Sequence, residues 1–72
     1  MATFCERLKH LQEEQGRLKK DVSAAVGLSL MGYYRYEQGT REPSMSTLIA
    51  LAQYFDVSVD YLLGLSDVKE RR

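Results

Sequence analysis

Between Lys19 and Arg41 the chain collects side chains suited to gripping a polyanion and touching base edges. Arg35 carries a planar guanidinium that can fork onto a guanine, and Leu30 and Met31 can rest on thymine methyl groups. Tyr34 can lie along a sugar edge or donate its hydroxyl to a phosphate. Lys19 and Lys20 open a helix, where cations sit against the positive end of the dipole. Leu18 occupies the capping place just before them, and the missing Ser, Thr or Asp costs about 1 kcal/mol. An anion lying across that end would reverse the penalty, which makes Lys19 and Lys20 candidate phosphate contacts. The alternative is that Leu18 packs on Val22 and overrides the local preference. Thr40 and Arg41, directly after the next helix, are further candidates for backbone phosphates.

The elements that must hold these groups follow from local signals. Val22 and Val26 lie one helical turn apart, and Gly27 supplies the left-handed stop. Leu28 packs the turn, Ser29 caps a helix running through Leu30 to Tyr36, and Gly39 ends it. Helical period turns Tyr33, Tyr36 and Glu37 inward and Leu30, Met31, Tyr34, Arg35 and Gln38 outward. An outward side this rich in large apolar groups needs a partner, DNA or protein. The other possibility is that Leu30 and Met31 are buried in the domain's own core, with Gly32 loosening the helix enough to tilt it. Two short helices joined by a tight turn form a helix-turn-helix, the device that sets a helix into a major groove.

The remaining segments are helical as well. Thr3 and Glu6 have capping-box spacing, so a first helix begins near Phe4, buries Leu8 and Leu11, and closes at Gly16. Ser44 caps a fourth helix with Leu48, Leu51, Ala52 and Phe55 on its inner face. Ser58 caps a short fifth one that ends at Gly64. No strand pattern or internal repeat is present, so the expectation is an all-α, five-helix domain over residues 1–64. A loose tail is expected over 65–72.

Composition narrows the function. The 72 residues allow one small domain, and no apolar run is long enough to cross a bilayer, so a cytoplasmic protein without membrane contact is expected. One His, one Cys and no concentrated carboxylates offer no nucleophile-and-base set and no metal cluster, so neither an enzyme nor a cofactor is expected. Net charge is zero, yet it is segregated: residues 17–41 carry a net +3 and residues 42–67 a net −4. The positive part coincides with the helix-turn-helix.

These residues resemble the phage repressor and Cro-like helix-turn-helix family, the XRE-type regulators. The resemblance rests on Arg7-Leu8 with Leu11 and Gly16, Gly27 with Ser29, Arg35-Tyr36-Glu37-Gln38-Gly39, Glu42-Pro43-Ser44 before Thr47-Leu48, and Val57 to Gly64. It implies a compact five-helix, lambda-repressor-like domain that binds operator DNA as a two-fold dimer. It also implies base-edge contacts by Ser29, Leu30, Met31, Tyr34 and Arg35, and backbone contacts by Lys19, Thr40 and Arg41. Gln12 stands where the family has an arginine paired to Glu37, leaving Glu37 with only an uncharged partner. Tyr33 fills a position usually β-branched, and Leu30 and Met31 replace commonly polar base readers.

The expected function is therefore a sequence-specific transcriptional regulator, most simply a repressor on a near-palindromic double-stranded operator. A homodimer contact is expected through Val59 and Tyr61 near the fifth helix. The competing reading is a protein-interaction module docking through Leu30, Met31 and Tyr34. An antitoxin that binds both a toxin and its own operator would combine the two.

Overall fold

A computed structural model describes residues 3–70. Five α-helices follow one another, α1 Phe4–Glu14, α2 Lys19–Ala25, α3 Leu30–Gln38, α4 Met45–Phe55 and α5 Val59–Leu62, with no strand among the described residues. Four of the five N-termini are capped by a hydroxyl side chain: Thr3, Ser29, Ser44 and Ser58 accept from Glu6, Gly32, Thr47 and Tyr61 backbone N–H groups. The exception is α2, whose N-cap Leu18 makes no side-chain bond.

The core is continuous. Leu8 and Leu11 of α1, Val22 of α2, Tyr33 and Tyr36 of α3, and Leu51, Ala52 and Phe55 of α4 meet Val57, Tyr61 and Leu62. Helix α3 packs against both α1 and α2, and α5 against α1 and α4, so α3 is supported from behind along its length. Tyr33 is fully buried. The interior thus absorbs the bulky ring that Tyr33 brings to a position the resemblance gives to a β-branched residue. The α1–α2 turn is tied to the end of α4 by a bond of 2.9 Å from Gln15 Nε2 to the Phe55 carbonyl and by Arg17 over the Tyr54 ring.

Two features bear on what the sequence leads one to expect. Tyr61, expected on the outside, is only 5 % exposed, because α5 is a single turn pressed onto α1 and its ring lies under the Arg7 guanidinium at 4.1 Å. The segment 65–70, expected to be loose, lies against the body. The Ser58 N–H donates to the Lys69 carbonyl at 2.8 Å and the Ser58 hydroxyl to the Val68 carbonyl at 3.0 Å. Arg7 pairs with Asp67 at 2.7 Å and Lys69 with Glu14 at 2.6 Å. Residues 71 and 72 of the expected tail lie outside the described residues.

Candidate nucleic-acid interface

Glycines set the reach of α3. Gly27 and Gly39 adopt φ of +76° and +75°, which reverse the chain after α2 and stop α3. A Cβ on Gly39 would also meet Cys5 Sγ at 3.3 Å, so the end of α3 lies tightly on the start of α1. Gly32 leaves room for the cap: a Cβ there would come 3.2 Å from Ser29 Oγ, the atom that caps the helix.

The two sides of α3 separate as its period requires. Tyr33, Tyr36 and Glu37 are buried, while Leu30 is 41 % and Met31 62 % exposed. Burial of Leu30 and Met31 in the core is thereby excluded. Arg35 and Gln38 are exposed, and Tyr34 is half-buried at the edge. Ser29 is exposed as well, and its oxygen accepts from Gly32 N–H at 3.0 Å, which leaves the hydroxyl proton free to donate outward.

The cations around this face divide into engaged and disengaged. Lys20 and Arg35 are exposed, with no ion-pair partner among the described residues. Arg41 is exposed, 6.0 Å from the Tyr36 ring centroid. Lys19 differs: its Nζ is 3.0 Å from Glu37 Oε1, with side-chain exposures of 33 % and 4 %. Glu37 therefore has a charged partner after all, supplied by α2. That hydrogen bond holds the Lys19 ammonium above the ordinary lysine pKa, against the opposing effect of burial. Burial first, and then the same Glu37 carboxylate, push the Tyr33 phenol well above its ordinary range.

Thr40 is also committed within the fold. Its N–H and its hydroxyl both donate to the Arg35 carbonyl, at 3.0 and 3.2 Å, closing the end of α3. A phosphate oxygen needs a donor, and both of Thr40's are taken. Leu18 is 57 % exposed, so packing on Val22 is not what compensates the uncapped start of α2. The arrangement thus brings Ser29, Leu30, Met31, Tyr34 and Arg35 onto one helix. Lys20 and Arg41 remain as exposed cations without an ion-pair partner among the described residues, beside the start of α2 and the end of α3.

The Lys19–Glu37 pair was missed in the sequence. The resemblance pointed to a counter-charge for Glu37, but from α1, and only the crossing of α2 and α3 brings Lys19 to it.

A family model described as Helix-turn-helix matches residues 8–62. An uncharacterized HTH-type transcriptional regulator, YobD of Bacillus subtilis (strain 168), is 34 % identical over 64 residues, covering 89 % of this chain and 57 % of its own. A transcriptional regulator from Listeria innocua superposes with a TM-score of 0.81 at 31 % identity, over 86 % of this chain and 58 % of that one. The P22 c2 repressor, crystallised with a synthetic operator, superposes with a TM-score of 0.85 at 24 % identity, over 92 % of this chain and 100 % of that one. The five-helix arrangement is therefore the repressor-type fold. The chain spans about half the length of the curated relatives it matches.

Proposed function

This chain belongs to the helix-turn-helix family, and from that membership and the outer side of α3 we propose a sequence-specific DNA-binding transcriptional regulator, a repressor acting from a near-palindromic operator. The observation that carries the proposal is the exposure of Leu30 and Met31, 41 % and 62 %, beside an unpaired Arg35 on a helix backed by the core. In a major groove Arg35 forks onto a guanine, Leu30 and Met31 rest on thymine methyls, and Ser29 and Tyr34 complete the base-edge contacts. Lys20 and Arg41 neutralise flanking phosphates and set the register without reading sequence. The relatives' description as transcriptional regulators supports this assignment.

Two copies would place their α3 helices in successive major grooves about 34 Å apart. Val59, half-exposed at the start of α5, is the self-contact residue that stays available, since Tyr61 is buried.

A second reading, a protein-docking module, draws on the same exposed Leu30 and Met31 and on the zero net charge. Selection from a random duplex pool at low and moderate salt separates the two. A regulator enriches a near-palindromic sequence with steep salt dependence. A docking module enriches nothing and shows no salt-dependent retention.

A further inference from the structure

Lys19 is the first residue of α2, and its ammonium lies 3.0 Å from Glu37 Oε1 and 5.1 Å from the centroid of the Tyr34 ring. One charge thus bridges a carboxylate that is 4 % exposed and an aromatic ring at the edge of the outer side of α3. A carboxylate so buried needs a counter-charge. Among the described residues no other cation pairs with Glu37, and its second oxygen is buried without a hydrogen bond. Were Lys19 to leave for a phosphate, Glu37 would be stranded and the Tyr34 ring would lose its cation–π partner.

We propose that Lys19 is a positioning residue: it locks the Tyr34 ring against the start of α2, so that Tyr34 meets one base pair in a fixed orientation, and it neutralises no phosphate. This rests on the regulator reading above and replaces the phosphate contact that the sequence suggests for Lys19.

The test compares Lys19→Gln, Lys19→Arg, Tyr34→Leu and the Lys19→Gln/Tyr34→Leu double variant. Each is titrated with the duplex the wild type selects and with a duplex changed at the base pair whose preference Tyr34→Leu relaxes. Several salt concentrations are used, at a temperature where circular dichroism shows every variant folded. Lys19→Gln is expected to lose about tenfold in discrimination at that base pair, with the salt slope unchanged. Lys19→Arg restores the discrimination, and Lys19→Gln adds nothing once Tyr34 is gone. A salt slope shallower by about 0.9 marks a phosphate contact and overturns the inference. Unchanged discrimination in folded Lys19→Gln overturns it too.

A wild-type measurement serves if Lys19→Gln does not fold. The Tyr34 ring current should keep the Lys19 ε-methylene protons upfield in the DNA complex as in the free protein, and loss of that shift on binding overturns the inference. A wild type that selects no sequence overturns the regulator reading, and the inference with it.

Discussion

Arg35 and Lys20 make different demands on a DNA titration, although both are exposed cations of the helix-turn-helix. Arg35→Ala should cost about 1–3 kcal/mol on the selected duplex and relax preference at one base position, with little loss on random duplex. Lys20→Ala should weaken every duplex alike and reduce the salt slope by about 0.9. Equal losses for Arg35→Ala on selected and random DNA would remove it from base reading. Lys19 belongs to neither class, because its charge is held by Glu37. Removing it should also show in stability. Lys19→Gln is expected to lose about 2 kcal/mol in chemical denaturation, less than the ~3–5 kcal/mol of a fully buried pair, because a third of the Lys19 side chain meets water. Denaturation midpoints equal to wild type would show that Glu37 does not depend on Lys19.

The elements were readable because their signals are local. A hydroxyl three positions before a helical amide identifies a cap wherever the rest of the chain goes, and Ser29, Ser44 and Ser58 all do this. The inward and outward sides of α3 were readable because nine residues give the period room to act. Helix α5 has four residues, too few for a period to separate Tyr61 from Val59, and Tyr61 is buried instead by the packing of α5 on α1, where Arg7 lies over the ring. Lys19 with Glu37, and Glu14 with Lys69, are likewise pairings between distant segments that only the packed fold reveals. The element most exposed to a single change is the α3 stop. Gly39→Ala forces a left-handed L-residue against Cys5 Sγ and should destabilise by about 1–2 kcal/mol, a melting temperature lower by roughly 5–15 °C. A melting temperature within error of wild type would mean that the end of α3 relaxes at no cost.

At the scale of the whole molecule, charge arranges a cationic region around α2 and α3 and leaves segment 65–70 held on the opposite chain terminus by Glu14 and Arg7. The hydrogen bond to Lys69, followed by weaker contributions from His10, holds the Glu14 carboxyl below its ordinary value of 4.5. Its contribution is therefore fully present above pH 4.5 and is lost as pH falls through the lower folded-state value. The Ser58 amide, which donates to the Lys69 carbonyl, reports on it. Its protection from hydrogen exchange should fall on acidification, and Glu14→Gln should reduce that dependence; an identical pH profile in the variant would detach Glu14 from the segment's hold.

The central claim is that the outer side of α3 is where this chain meets DNA, and Met31, the more exposed of its two aliphatic groups, is the natural probe. With ¹³C-methyl-labelled protein and the duplex chosen from the random pool, the Met31 and Leu30 methyl resonances should move on binding, and by less with a scrambled duplex of equal length. Resonances that stay in place on saturation with the selected duplex would contradict the account.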